Sequence, residues 1–396
     1  MAAQAGEIDG VVSLTGQNRA AVERASQAVA EHLRRRMPAL EFSVSEPQEA
    51  PDYFAAYLPL RQGAAVVWQP AAAEAVFAAP CRMCGVDAGV QVRVVGPESG
   101  DERVCGDCAA RVDSAGRSSS RRRQDVPRGE SVLEGLLIGT AAQGAAFPDD
   151  FGELAELDAD QTHIATIFID GNRIGMLLDS LGGASGDAKA RVARAVAGSA
   201  AGALRDAVLR IHKPGQPTLP VAVHLIGGDD VLVSVPALRA LPFTTAFLQG
   251  FRRQMWRYLQ DEHAGKPVPT ASAGIVWHHR SHPFGLALES AESALTQAKS
   301  GTRGREASVA WIDVTAEGAG PDAVAGPRSL SWLDGNADAL EGLAALPAAQ
   351  RARLSRLPDA QMPEQLRRRG SKAAQQLWNQ HPSDLRDGLR LVRWTP

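Results

Sequence analysis

The stretch that most constrains the fold is VAVHLI-GGDD-VLVSV, residues 221–235, where two apolar runs stand only four residues apart. A connection that short forces an antiparallel hairpin, and Gly227-Gly228 supplies the positive backbone angles that tight hairpin turns need. The same letters place two carboxylates, Asp229 and Asp230, at the tip. Whether the tip is a bare turn or a seat for a metal-bound nucleotide depends on what the rest of the chain brings to it.

The flanks answer in a regular order. HIATIFID (163–170) reads as a buried strand ending on Asp170. The stretch 187–213 reads as a long helix, with Val192, Val196, Ala203, Val208 and Ile211 on one side. Gly198 and Gly202 lie inside it, which costs stability unless a neighbour packs closely there. After the hairpin, 244–263 is a second helix with a stripe of Phe247, Phe251, Met255, Tyr258 and Leu259. TASAGIVWH (270–278) is a strand, 283–300 a third helix and ASVAWIDV (307–314) a closing strand. The order β-α-β-β-α-β, followed by α-β, is the ferredoxin-like arrangement of a polymerase or cyclase palm, an α+β fold.

In that topology the first strand lies beside the hairpin, about 4.8 Å away, which brings Asp170 to the Gly-Gly-Asp-Asp tip. Carboxylates from adjoining strand ends hold pairs of Mg²⁺ or Mn²⁺ ions about 3.5–4 Å apart. Such a pair activates an attacking hydroxyl and neutralises charge on the transferred phosphate. Glycines before the acids let a triphosphate come close to the backbone. Alternation along a strand sends Asp229 and Asp230 to opposite faces unless the turn twists them together, so the spacing favours Asp170 with Asp229, and Asp230 next. On geometry alone a hairpin with surface acids remains the alternative. Lys299 closes its helix just before Gly301 and Arg303, either as a phosphate contact or as a cation favourably placed at a helix C-terminus. WHHRSHP, with His278, His279 and His282, reads as a solvated loop rather than a metal site.

All four cysteines fall in one window, Cys81-Arg-Met-Cys84 and Cys105-Gly-Asp-Cys108. Two CxxC pairs at this separation complete a tetrahedral thiolate shell, a closed and therefore structural Zn²⁺ site of the zinc-ribbon type. Before it, GVVSL, EFSVS, YFAAYLPL and GAAVVWQ read as strands around an amphipathic helix that carries Val22, Ala25, Val29 and Leu33. After it, residues 116–130 are basic and rich in Ser and Gly, and read as a solvated linker, with an RNA-contacting loop as the alternative. The tail from about residue 328 is helical and charged.

Composition adds exclusions. With 396 residues the chain holds two or three domains, and a formal net charge of −3 advertises no global nucleic-acid surface. No signal-peptide pattern opens it and no run of about 18 uncharged apolar residues interrupts it. The expectation is a cytoplasmic protein with no membrane span.

IATIFIDGNRIGMLL, HLIGGDDVLVSVPA, ASAGIVWHH through ALESAESALTQAK, and the CxxC pairs together resemble the large, palm-bearing subunit of type III CRISPR effector complexes. The palm is also similar, more distantly, to that of GGDEF diguanylate cyclases, whose helix ends in a lysine like Lys299. VVSLTGQN and the helix after it look like a partial first palm, with Thr15-Gly16-Gln17-Asn18 where the family has Gly-Gly-Asn. The resemblance implies a synthase that condenses ATP into cyclic oligoadenylates when a guide-bound complex meets target RNA. It implies metal roles for Asp170, Asp229 and Asp230, and nucleotide contacts at Gly171, Asn172, Gly227, Gly228, Ser272 and Lys299. Its implied partners are other effector subunits, guide RNA and target RNA, with small subunits meeting the C-terminal helices. No His-Asp dipeptide is present, so the family's nuclease domain is not expected here. A stand-alone cyclase acting without guide RNA and a non-catalytic scaffold are the alternatives. The expected domains are 1–75 (partial first palm), 76–130 (zinc element and basic linker), 131–318 (palm) and 319–396 (C-terminal helices).

Overall fold

A computed structural model describes residues 14, 16–37, 40–49, 66–68, 79–85, 87–94, 100–120, 129–179, 186–262, 267–318, 323–369 and 371–395. The chain divides into two units at Pro127/Arg128. In the first, helix α1 (Arg19–Arg36) starts where the Asn18 side chain accepts from the Ala21 amide. Strands β1 (Phe42–Val44) and β2 (Val66–Trp68) pair antiparallel, with Phe42 stacked on Trp68. β3 (Gln91–Val94) and β4 (Asp101–Val104) form a second antiparallel pair, followed by α2 (Gly106–Ser120). The expected strands GVVSL and YFAAYLPL fall almost wholly outside the described residues. Of the expected linker at 116–130, residues 121–128 lie outside the described residues; α2 continues through Ser120, and another helix begins at Gly129.

The second unit begins with α3 (Gly129–Leu136) and α4 (Phe151–Glu156), and is then built on β5 (His163–Asn172). There follow α5 (Ile174–Asp179), α6 (Gly186–Ile211), β6 (Ala222–Gly227) and β7 (Asp230–Pro236). Next come α7 (Ala240–Glu262), β8 (Thr270–His279), α8 (Phe284–Thr302), β9 (Ser308–Asp313), α9 (Val314–Glu317) and β10 (Ala325–Ser329). The sheet runs β10-β9-β8-β5-β7-β6, antiparallel except for the parallel pair β8–β9. The run β8-β5-β7-β6 has the ferredoxin-like order that the sequence pattern implies, and β9 and β10 extend it beyond β8.

Alternation along the strands decides which residues face which helices. Ala165, Ile167 and Ile169 of β5, with Val231, Val233 and Val235 of β7, join one core with Val196 and Leu204 of α6 and Phe243, Phe247 and Phe251 of α7. The even-numbered residues turn to the other face, where Val276 and Ile312 pack on Ala291 of α8. Gly274 lets α8 lie directly on β8, because a side chain there would meet the Ala291 carbonyl. Within α6, Gly202 is filled closely by Gln254 of α7, the close packing that a helical glycine calls for, whereas a Cβ at Gly198 would meet nothing within 4 Å. His278 corrects the loop reading of WHHRSHP: it is a fully buried β8 residue whose Nε2 meets Thr166 Oγ1 at 2.8 Å, while His279 is exposed.

Six short helices follow from Leu330, ending with Pro382–Leu391, and share the main core through Leu343, Leu377 and Leu385. They are tied back by Arg328, which meets Asp384 and Asp387 at 2.7 Å, and by Trp394, whose indole nitrogen donates to Asp313 at 2.9 Å. Among the described residues no helix is long and apolar enough to cross a membrane.

Candidate active site

The hairpin is tighter than its four letters suggest. Gly227 pairs with Asp230, so only Gly228 and Asp229 form the turn, and Gly228 has φ +59°. Positive φ at the first central residue alone is what a type II′ turn requires. Asp230 therefore belongs to β7. The β5–β7 register pairs Ile169 with Val231, and one step further sets Asp170 opposite Asp230 on the α8 side of the sheet. Asp229 reaches the same place from the turn: a Cβ on Gly171 would lie 2.5 Å from Asp229 Oδ2. Gly171 is thus the residue that lets the turn close over the end of β5.

The Asp170 carboxyl lies close enough to both hairpin acids to act on their ionisation. Burial, and then the Asp170 carboxylate, pushes Asp229 up to about 7. Burial and Asp170 push Asp230 up to about 6, against the pull of Lys299. Alternation does not separate Asp229 from Asp230, because only Asp230 is a strand residue and the turn brings its neighbour round. Lys299, in the last turn of α8, pairs with Asp170 and donates to the Gly171 carbonyl at 3.0 Å. Three carboxyls, two of them held above the usual range, make an excess of negative charge that a divalent cation relieves. Lys299 relieves part of it.

Two expected nucleotide contacts have a different setting. Asn172 and Ser272 are 2% and 0% exposed. Asn172 Nδ2 donates to Thr270 Oγ1 at 2.8 Å, Ser272 Oγ at 3.0 Å and the Glu306 carbonyl at 3.1 Å. Ser272 Oγ meets Ser308 Oγ at 2.9 Å, and Ser308 donates to the Ala298 carbonyl at 2.7 Å. The network joins β5, β8 and β9 to the turn of α8 that carries Lys299. It fixes where the ammonium meets Asp170.

Sequence reasoning gave no role to Arg173. It has φ +60°, is exposed beside the site, and its guanidinium donates to the carbonyl of Arg303, itself at φ +51°. Two non-glycine residues in the left-handed region flank the acids, the kind of local strain that collects at ligand sites. A single sequence carries no signal for it.

The cysteine element forms a second centre. The four Sγ atoms lie within 4.8 Å of one another, and Cys84 and Cys105 are 3.9 Å apart. A zinc tetrahedron with bonds of about 2.3 Å has edges of about 3.8 Å, so the donor set fits Zn²⁺. The first pair sits on a turn closed by the Gly85 amide on the Cys81 carbonyl, 2.9 Å. The second lies at the end of β4 and in the first turn of α2, so that half of the element is helical rather than a second ribbon. Among the described residues no other group of three metal-ligating side chains is gathered this tightly, and the three carboxylates stand further apart.

Residues 163–308 match the family Cas10/Cmr2, second palm domain. Among solved structures, Csm1 of T. onnurineus is 14% identical over 62% of this chain and 39% of its own, with a TM-score of 0.42. A Csm1–Csm4 cassette in complex with cA4 is 14% identical over 62% and 38%, with a TM-score of 0.35. The GGDEF domain of DgcB from Caulobacter crescentus, in complex with c-di-GMP, is 18% identical over 42% of this chain and 86% of its own, at 0.29. No curated protein matches the chain. The chain spans less than two fifths of the Csm1 chains it resembles. Over residues 163–308, the family match agrees with the resemblance expected from the sequence to the palm-bearing subunit of type III CRISPR complexes.

Proposed function

We propose that the chain is a metal-dependent nucleotidyltransferase that converts ATP into cyclic oligoadenylates within an RNA-guided antiviral complex, in the cytoplasm. The observation that carries this reading is the meeting of Asp170, Asp229 and Asp230 at the ends of adjoining strands, inside the segment that matches the second palm family. In this reading the three acids hold Mg²⁺ or Mn²⁺, which activates the attacking ribose hydroxyl and neutralises charge on the transferred phosphate.

The other parts follow from what each residue can do. Gly227 and Gly228 leave the turn free of side chains, so a triphosphate lies against the backbone. Lys299 trades its carboxylate for phosphate oxygens, and Gly171 keeps Asp229 in place. Asn172 and Ser272 act through the buried network rather than by touching the nucleotide. The four cysteines hold structural Zn²⁺. Other effector subunits, guide RNA and target RNA are the partners proposed, with small subunits on the C-terminal helices.

The test is mass spectrometry of the nucleotides formed from ATP with Mg²⁺ or Mn²⁺, by the full chain alone and with guide and target RNA. Cyclic oligoadenylate that disappears in Asp229→Ala and Asp230→Ala is the expected result. Absence of product under every condition, with fold and zinc intact, rejects the reading. Activity without any RNA leaves a stand-alone cyclase in its place.

A further inference from the structure

The helical layer that covers the opposite face of the sheet from Asp170 and Lys299 has an opening of its own. Between α6 and α7 lies a cleft of about 360 Å³, lined by Gly198, Ser199, Arg205 and Asp206 on one side and Arg253 and Arg257 on the other. It exists because the two helices touch at Gly202, against Gln254, and leave the space over Gly198 empty.

Its chemistry is one-sided. The cleft holds three guanidiniums and one carboxylate, and only two of the three meet it: Asp206 is 2.6 Å from Arg205 and 3.5 Å from Arg253. Arg257 has no carboxylate partner among the described residues. Ser199 is 4% exposed and lines the cleft. A hydroxyl next to guanidiniums in surplus describes a site short of an acceptor-rich anion.

The charge does not stop at the rim. Arg252 and Arg253, Trp256 and Arg257 are all exposed along α7, and Arg194 continues the strip on α6. Trp256 is 51% exposed and is the one exposed large apolar side chain on α6 and α7 among the described residues. One indole offers little to a partner docking by hydrophobic contact, whereas an indole on a helix that carries exposed guanidiniums is what a base and its phosphates use. On a chain of net charge −3, the strip is a local feature.

We propose that this face binds single-stranded nucleic acid, with phosphates over Arg205, Arg253 and Arg257, a phosphate oxygen on the Ser199 hydroxyl, and a neighbouring base stacked on Trp256. The proposal stands on the α6–α7 face alone, so binding here and synthesis at the acids can fail separately.

Fluorescence anisotropy of the full chain with a fluorescein-labelled, mixed-sequence 12-nucleotide RNA, from 50 to 200 mM salt, tests it. Arg253→Gln/Arg257→Gln is expected to weaken binding at least tenfold at the lower salt, and to flatten the salt slope by about 1.4, or about 0.7 per lost phosphate contact. Trp256→Ala is expected to weaken binding roughly tenfold without changing the slope. Both variants change exposed positions, so circular dichroism and zinc content should match the parent. Asp229→Ala should bind RNA as the parent does. Parent-like binding by either surface variant, or no RNA binding by the parent, overturns the proposal. So does displacement of the RNA by equimolar ATP, inorganic phosphate or poly-glutamate, which would make the site one for a small anion or an acidic protein.

Discussion

The cysteine element and the acid cluster each collect groups that repel one another when ionised, and they handle the repulsion differently. Around Cys81, burial works against the thiolate, but the backbone amides of Cys84, Cys105 and Met83 outweigh it and draw the thiol down to about 6. Burial pushes Cys105 and Cys108 up, and a bound metal reverses that. Four ligands then close the shell. At the acids no comparable set of donors outweighs burial, two carboxyls stay above their ordinary range, and the charge is met by one ammonium that is not a metal ligand. The first cluster is complete with a metal alone. The second is left short of positive charge, which makes room for a cation that arrives with a substrate.

The largest test of that contrast is Cys105→Ser. If the cysteine metal is structural, the variant loses its zinc and the first unit loses protease resistance, since such sites contribute on the order of 10 kcal/mol to folding. Metal analysis and limited proteolysis read both, and a variant that keeps its zinc removes the contrast. Asp230→Asn should do the reverse: zinc retained and melting temperature no lower than the parent's, nucleotide product down roughly a hundredfold or more. Asp230 is the sharper choice because it faces Asp170 directly in register.

A smaller effect isolates Lys299. If its ammonium stands in for part of a cation's charge, Lys299→Met should bind Mn²⁺ roughly five- to tenfold more tightly without nucleotide, about 1 kcal/mol of coupling near the surface. Electron paramagnetic resonance of free Mn²⁺ measures this apart from any activity. Unchanged affinity would make Lys299 a phosphate contact only.

Much of the acid site is legible in the sequence because strand and helix periods are strong between residues 163 and 313. HIATIFID, the hairpin and the helix ending in Lys299 are each self-announcing, and their order leaves few topologies. What escapes is one-residue geometry. Four letters do not say that the turn takes only Gly228 and Asp229, which decides that Asp230 lies in a strand opposite Asp170. Asn172 and Ser272 carry polar side chains near the site, and only the β5–β8 register, which sets Asn172 opposite Thr270 and Ser272 opposite Asp170, brings the two within hydrogen-bonding reach. His278 looks like loop because histidines cluster there, although alternation from Val276 turns it inward. Arg173 and β10 have no local signal, since left-handed backbone at arginine and an edge strand containing Pro327 both contradict propensity.

The smallest expected effect is the most direct reading of the acids' repulsion. A carboxyl with a higher pKa in the folded than in the unfolded state binds its proton more tightly when folded. Its contribution is intact below the unfolded value of about 4 and is lost as pH rises through the folded value. For Asp229 and Asp230 the folded values are about 7 and about 6, so without divalent cations the chain should lose stability between about pH 4 and pH 7. Asp229→Asn stays neutral and escapes its share of that loss. In buffer free of Mg²⁺ and Mn²⁺, with zinc retained, the variant should melt on the order of 2–4 °C above the parent at pH 8, with the gap shrinking toward pH 5. Added Mn²⁺ should stabilise the parent more than the variant, because only the parent regains an ionised carboxylate that the cation neutralises. A variant that melts lower than the parent at pH 8 would mean that Asp229 is held by partners that favour its charge, and the two clusters would then be alike after all.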